Sequence, residues 1–109
     1  MNTTFMPDCP GADFAVRMFD DSMNGARILK NDLVYIKRID ANEPIVNGSI
    51  VAVELWSRII IRTFRKKGRI IQLRPENRRH LVIELDETDE LNIIGRVVGF
   101  TSRIEPKDD

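Results

Sequence analysis

The sequence predicts an all-β fold, a compact domain of folded sheets or a partly open β-barrel with about six to eight short strands. Two observations favour this class. Short runs of apolar and β-branched residues recur at close spacing from residue 13 to residue 100, and few segments show the 3.6-residue periodicity of a helix. Turn-forming residues separate the runs, which is typical of sheets built from short strands.

Seven runs fit strands, and in chain order they are residues 14–18, 32–37, 49–55, 59–64, 69–73, 81–85 and 91–100. The run 49–55 is almost continuously apolar, so it predicts a buried strand. Because the run 59–64 follows after only three residues, these two strands should form a hairpin. Residues 66–68 predict a second turn, and a short helical turn is expected after Ser22.

The length of 109 residues suits one domain, which we place at residues 13–103. Residues 1–12 are polar and broken by two prolines and a glycine, so we interpret them as a flexible arm or linker stub. Residues 104–109 are expected to form a charged tail.

The composition excludes several classes of protein. Because 17 basic and 17 acidic residues cancel, no overall attraction to nucleic acid or to a membrane surface is expected. The single cysteine, Cys9, cannot form an internal disulfide, which favours a reducing compartment, and we expect the cytoplasm. No cysteine or other histidine lies near His80 in the sequence, so no metal site is expected, and no cofactor is implied. No apolar run is long enough to cross a bilayer.

Short motifs in one consistent order resemble a known family. They are Ala12-Asp13-Phe14 with Arg17, Ser22-Met23, Asn31-Asp32-Leu33, Asn47-Gly48-Ser49-Ile50-Val51, Arg74-Pro75-Glu76-Asn77 and Ile94-Gly95-Arg96-Val97-Val98-Gly99. Together they resemble the C-terminal domain of the LexA-like family of self-cleaving repressors, which also includes phage repressors and UmuD-type proteins. The resemblance covers about residues 12 to 100.

The resemblance implies a site at which Ser22 holds the nucleophile position, with Met23 and Asp32 lining it. A serine hydroxyl needs a neighbouring base, and this family uses a lysine kept neutral by burial. Matching the motifs residue by residue places Arg62 at the position of that lysine. A guanidinium has a pKa above about 12, so roughly one part in 10^5 or less is neutral at pH 7. We therefore predict negligible autoproteolysis. Lys66 and Lys67 lie on the order of 10 Å further along the strand, too far to substitute.

By resemblance, the chain is the C-terminal dimerisation domain of a bacterial or phage helix-turn-helix transcriptional regulator. Its implied partners are a second copy in a homodimer, operator DNA bound through an N-terminal domain absent from this sequence, and the RecA filament of the SOS response. We expect the chain to be part of a longer regulator, because the family's cleavage loop lies well upstream of the nucleophile. The sequence leaves open whether Arg62 marks a repressor that escapes RecA, one relieved by another signal, or an engineered change.

Two other functions stay open at this point. The first is an active Ser/Lys endopeptidase, autoproteolytic or related to signal peptidases, that uses Ser22. The second is a small β-barrel that binds single-stranded nucleic acid through the basic runs 65–67 and 78–80. Such surfaces interleave basic and aromatic residues, and that pattern is absent here.

Overall fold

The computed structural model describes residues 9–40 and 42–102 and contains seven strands. They are β1 (Phe14–Arg17), β2 (Leu33–Arg38), β3 (Ile50–Leu55), β4 (Arg58–Lys67), β5 (Ile70–Arg74), β6 (Ile83–Asp86) and β7 (Asn92–Thr101). A 3-10 turn at Asn24–Ala26 follows Ser22. The predicted all-β fold is confirmed. Residues 1–8 of the predicted arm, residue 103 and the predicted tail lie outside the described residues.

All seven strands belong to one antiparallel sheet with the order β1-β2-β7-β3-β4-β5-β6. The last strand of the chain inserts between β2 and β3, so it joins the two halves of the sheet. The sheet curls into a half-barrel. This curl brings the end of β1 close to the first half of β4, although three strands separate them in the sheet order.

The predicted hairpin is confirmed as β3 and β4, which pair from Ile50 with Thr63 to Leu55 with Arg58. Its two turn residues, Trp56 and Ser57, have φ values of 54° and 64°. Positive φ at both positions is the geometry of a type I′ turn, which matches the twist of the flanking strands.

The turn predicted at residues 66–68 exists but starts later than predicted, because β4 continues through Lys67 and Lys66 pairs with Ile71. The turn lies one step later, around Gly68, where φ is 60°. Glycine takes this left-handed conformation without strain, so it and not the lysines sets the position of the reversal.

Two apolar clusters lie on opposite faces of the β3–β4 hairpin. The first contains Met18, Met23, Ile28, Val34, Ile36, Ala52 and Ile61. The second contains Val51, Val53, Leu55, Ile60, Phe64, Ile71 and Leu73. Successive residues of a strand point to opposite faces, so the middle of this hairpin is buried on both sides, as the continuous run 49–55 predicts. A polar side chain in the middle of β4 is therefore held in an apolar environment.

In the part of the chain that the structure describes, no helix is long and apolar enough to cross a membrane.

Candidate functional site

Ser22 lies in the loop between β1 and β2 and is fully buried. Its N–H donates to Asp20 Oδ1 over 3.0 Å, a short-range side-chain contact that turns the backbone at this point. Met23 follows with its side chain in the first apolar cluster. The loop is thus anchored on one side of Ser22 by a carboxylate and on the other by a buried apolar side chain.

The connection between β5 and β6 holds this loop from outside. Glu76 N–H donates to the Ser22 carbonyl over 2.8 Å, and Gly25 N–H donates to the Glu76 carbonyl over 2.7 Å. Asn77 Nδ2 donates to the Asp21 carbonyl over 2.8 Å. The Pro-Glu-Asn motif therefore has a structural role here, which is to fix the backbone around Ser22.

Gly25 is needed for this close approach. A Cβ atom built on Gly25 would lie 2.6 Å from the Glu76 carbonyl oxygen, closer than real Cβ contacts allow. Any larger residue would push the loop away from the β5–β6 connection.

A contact between two side chains also joins the Ser22 loop to the β5–β6 connection. His80 Nε2 lies 2.7 Å from Asp21 Oδ1, across a separation of 59 residues. The hydrogen bond from His80 is the main cause of a lowered pKa for the Asp21 carboxyl, and the nearby His80 and Arg79 charges act in the same direction. The carboxylate form of Asp21 is therefore the form that the folded loop favours.

Arg62 extends from the middle of β4 and is only 7% exposed. Its Nη1 donates to Ser22 Oγ over 2.6 Å and to its neighbour's carbonyl, Ile61 O, over 2.8 Å. Its Nε is buried and has no hydrogen-bond partner within the described residues. Ser22 and Arg62, predicted to share one site and 40 residues apart in the chain, are thus in direct contact.

Burial lowers the pKa of the Arg62 guanidinium, and the charge of Asp20 partly opposes this effect. Even so, arginine keeps its proton in proteins at neutral pH. The group beside the Ser22 hydroxyl is therefore a hydrogen-bond donor, and it has no lone pair with which to accept the hydroxyl proton.

The two lysines further along β4 make other contacts. Lys66 Nζ lies 3.0 Å from Glu87 Oε2 on the far side of the sheet from β1. Among residues 9–40 and 42–102, no lysine forms a hydrogen bond with Ser22.

Asp32 is buried at 4% exposure, and its Oδ2 accepts a hydrogen bond from Leu29 N–H over 2.8 Å. Its own carbonyl accepts from Met18 N–H over 2.7 Å. These contacts close the far end of the loop onto β1. The structure thus gives Asp32 contacts that shape the loop, whereas it brings Arg62 directly to the serine.

A cleft of about 710 Å³ runs from the end of β1 to the start of β4, and we call it the β1–β4 cleft. It is lined by residues 16–20, Glu54 and residues 57–62. At its rim the Arg58 guanidinium lies 4.7 Å from the centre of the Phe19 ring, a cation–π contact between its two walls. Arg62 is among the residues that line this cleft, whereas the fully buried Ser22 is not.

The sequence indicates some of the contacts around Ser22 but not others. An aspartate two residues before Ser22 is a pattern typical of side-chain-supported turns, so Asp20 could have been predicted from it. No local pattern indicates that His80 contacts Asp21, because the contact depends on how two loops pack.

No group of three or more histidine, cysteine or acidic side chains suited to a metal ion occurs among the described residues.

Comparison with known proteins agrees with this geometry. The family model described as Peptidase S24-like matches residues 1–98 of the chain. The chain belongs to this family. The resemblance of its motifs to LexA-like proteins is confirmed by curated relatives. The LexA repressor of Shewanella sediminis is 36% identical over 91 residues, which is 83% of this chain and 43% of that protein. The LexA repressor of Herminiimonas arsenicoxydans is 35% identical over 89 residues, 81% of this chain and 39% of that protein.

The chain thus spans about two-fifths of the length of these relatives. The family match covers the described strands up to most of β7 and includes both Ser22 and Arg62.

Proposed function

We propose that this chain is the dimerisation and degenerate self-cleavage domain of a bacterial or phage helix-turn-helix transcriptional regulator, and that it does not cleave itself. Ser22 holds the nucleophile position and Arg62 the position of the general base. The observation that carries the proposal is the 2.6 Å contact from Arg62 Nη1 to Ser22 Oγ.

This contact opposes nucleophilic attack for an electronic reason. To attack a carbonyl, the serine oxygen must lose its proton to a base as its lone pair forms the new bond. Arg62 donates to that oxygen and so engages a lone pair. A neutral lysine amine at the same position would instead accept the hydroxyl proton. The site therefore keeps the architecture of a Ser/Lys dyad without its proton acceptor.

The role in regulation is supported by the LexA repressors that the chain resembles over most of its length. In the proposed regulator, a separate N-terminal domain binds operator DNA. Two copies of the present domain would hold two such heads together, which raises the effective concentration of the second head at a paired half-site. Val98 and Phe100 of β7 are 37% and 40% exposed, which is consistent with an apolar contact between copies. A regulator that does not cleave itself would persist in the presence of a RecA filament.

The test uses the regulator with its native upstream segment, incubated in alkaline buffer and analysed by mass spectrometry. We expect the Arg62 protein to stay intact. Arg62→Lys should release two fragments, because burial lowers the pKa of a lysine and provides a neutral amine. Adding Ser22→Ala to Arg62→Lys should abolish the fragments.

Two fragments from the unaltered protein, lost on Ser22→Ala, would contradict the proposal and favour an active Ser/Lys endopeptidase. Covalent labelling of Ser22 by an acylating probe, with Arg62 intact, would point the same way. Arg62→Ala serves as the matched control, since it removes the guanidinium without supplying a base and should also stay intact.

A further inference from the structure

The sheet formed by the described residues has two edge strands, β1 and β6, and only β1 borders the β1–β4 cleft. Within those residues β6 pairs with β5 alone. An edge strand presents backbone N–H and C=O groups that can pair with another chain. Exposed apolar side chains lead into β6, since Leu81 is 85% exposed and Val82 is 42% exposed. The β6 edge is therefore a surface to which a further strand can add.

The ladder between β5 and β6 shows which backbone groups of β6 face outward. Glu87 N–H donates to the Arg69 carbonyl over 2.8 Å, in register with the pairs along β6. Hydrogen-bonded and non-hydrogen-bonded pairs alternate in an antiparallel ladder, so residues 83 and 85 also bond to β5. The backbone groups of the even-numbered residues therefore point away from β5, toward the open edge.

Only part of this outward-facing row is available. Asp86 N–H donates to Asp89 Oδ2 over 2.8 Å, and the Asp86 carbonyl accepts from Asp89 N–H over 2.8 Å. The turn after β6 thus occupies the backbone groups of Asp86. The open stretch is short and extends from Val82 to Glu84.

The charges on the two sides of this stretch have opposite signs. Basic residues precede it and acidic residues follow it, namely Arg78, Arg79 and His80 before it and Asp86, Glu87, Asp89 and Glu90 after it. Neither arginine forms an ion pair within residues 9–40 and 42–102. A parallel copy of the segment would bring like charges together, whereas an antiparallel copy brings each basic end to an acidic end. The occupant that this edge fits is a second copy of itself.

We propose that two copies of this chain pair through β6, antiparallel about a two-fold axis at Ile83. Residues with outward-facing backbone groups must lie opposite one another to exchange hydrogen bonds, which leaves few registers. The axis at Ile83 places Val82 opposite the partner's Glu84, and each of these pairs exchanges two backbone hydrogen bonds. An axis at Glu84 would instead place two glutamates directly opposite each other, which is unfavourable.

The same register matches the side chains on both sides of the axis. Ile83 lies opposite the partner's Ile83, and Leu81 lies opposite the partner's Leu85. Further out, Arg79 lies opposite the partner's Glu87. Apolar residues thus meet apolar residues, and opposite charges meet at both ends.

This contact goes beyond the proposed function and does not depend on Ser22 or Arg62. The proposed homodimer uses β7, which lies between β2 and β3, whereas β6 ends the sheet. A regulator that used both surfaces would join one dimer to another. Because the open stretch is short, the pairing is weak and depends on concentration.

Disulfide cross-linking of the intact chain tests the register, with Cys9→Ser in every variant and oxidised glutathione as the oxidant. Ile83→Cys should form a covalent dimer, because Cα atoms in a non-hydrogen-bonded pair lie about 4.5 Å apart, within the span of a disulfide. Leu81→Cys is the matched control. It is the more exposed position, but its two copies would lie four residues apart along the strands, roughly 13 Å, and should not cross-link.

Sedimentation equilibrium tests the contact itself, in a Val98→Glu background that removes the proposed β7 contact. Val82→Glu places a carboxylate opposite the partner's Glu84 twice, so it should raise the dissociation constant about tenfold or more. Val82→Lys should lower the constant a few-fold. Val46 is a valine with 74% exposure in another loop, and Val46→Glu and Val46→Lys should leave the constant unchanged.

A monomeric Val98→Glu chain at every concentration up to the millimolar range would overturn this inference. Equal dissociation constants for Val82→Glu and Val82→Lys would do so too, as would equal cross-linking of Ile83→Cys and Leu81→Cys. The amide spectrum of each variant reports whether it is folded. Fragments in the cleavage assay would instead overturn the proposed function and leave the β6 contact standing, so the two failures are distinguishable.

Discussion

The loop that carries Ser22 and the strand that carries Arg62 reach the same site with different kinds of support. Arg62 is placed by the register of β4, where it pairs with Val51 of the neighbouring strand. Ser22 is placed by contacts from a distant connection, through Glu76 and Asn77. The position of Arg62 is fixed by the continuous backbone pairing of β3 with β4. The position of Ser22 depends on a few specific hydrogen bonds.

This difference bears on how the site tolerates change. A side chain in the middle of a paired strand can be replaced while the backbone stays where the ladder holds it. A loop held by few contacts moves when one of them is lost. We therefore expect the chemistry of the site to vary at Arg62 more readily than the geometry around Ser22, and an arginine in place of a lysine is such a change.

The largest effect on stability should come from a side chain that fills the space between the Ser22 loop and the β5–β6 connection. Gly25→Val would place side-chain atoms against the Glu76 carbonyl, and we expect it to lower the free energy of unfolding by about 3 kcal/mol. Urea unfolding followed by fluorescence of Trp56 measures it. Asn24→Ala, at the exposed neighbouring position, should change the value by less than about 0.5 kcal/mol. Equal free energies of unfolding for the two variants would show that the backbone of Gly25 is not closely packed against Glu76.

The two members of the site should respond with opposite signs. Ser22→Ala removes an acceptor from a buried charged donor, so we expect a loss of roughly 1 to 2 kcal/mol. Arg62→Met removes a buried cation that already has an unpartnered Nε, so stability should stay the same or rise by up to about 2 kcal/mol. Urea unfolding at neutral pH compares them. If Arg62→Met lowers the free energy of unfolding as much as Ser22→Ala does, the buried guanidinium stabilises the fold. That result would contradict the expected difference between the loop residue and the strand residue.

The same contrast explains what the sequence could predict. Alternating and continuous apolar runs placed all seven strands within a few residues, because each strand's pattern is local. The error at the end of β4 has a physical cause. Residues 65–67 are exposed, so they show no apolar alternation, yet they pair with β5 through backbone groups that the pattern does not report.

The site was predictable to a different degree. The spacing of motifs indicated that Ser22 and Arg62 belong together, and the geometry brings them into contact. The sequence did not indicate why Pro-Glu-Asn accompanies them, or that His80 contacts Asp21. Those contacts join segments more than 50 residues apart, and nothing periodic in the chain reports such packing.

A smaller effect on stability should come from loss of the Asn77 side chain, which holds the Ser22 loop by a hydrogen bond. Asn77→Ala loses the hydrogen bond to the Asp21 carbonyl, and we expect it to lower stability by about 1 kcal/mol. Asn92→Ala is a matched control, since Asn92 Nδ2 donates to Glu54 at the surface over 3.0 Å. That variant should change stability by less than about 0.5 kcal/mol. Equal losses would indicate that the Asn77 contact is no better than a surface contact.

The smallest effect is pH-dependent and concerns Asp21 and His80. The pKa of Asp21 is lowered in the folded loop from its ordinary value of 3.8, first by the hydrogen bond from His80. The unfolded chain therefore binds the proton more readily, so this contribution to stability is fully present above that ordinary value. It is lost as the pH falls through the lowered pKa. His80→Gln should thus lower the urea midpoint at about pH 5.5 and bring it level with the unaltered protein at strongly acidic pH.

Asp86 provides the control that assigns this effect to the loop. Its pKa is also lowered, chiefly by hydrogen bonds from Thr88, but it lies at the end of β6. Thr88→Val removes the side-chain hydrogen bond to Asp86 but keeps the larger backbone one, so it should weaken the acid dependence of the urea midpoint only slightly, without altering the pH titration of the Ser22 amide shift. His80→Gln should alter both. If the Ser22 amide responds equally to the two substitutions, the acid response belongs to the whole sheet, and the loop is not the separately held element that its contacts indicate.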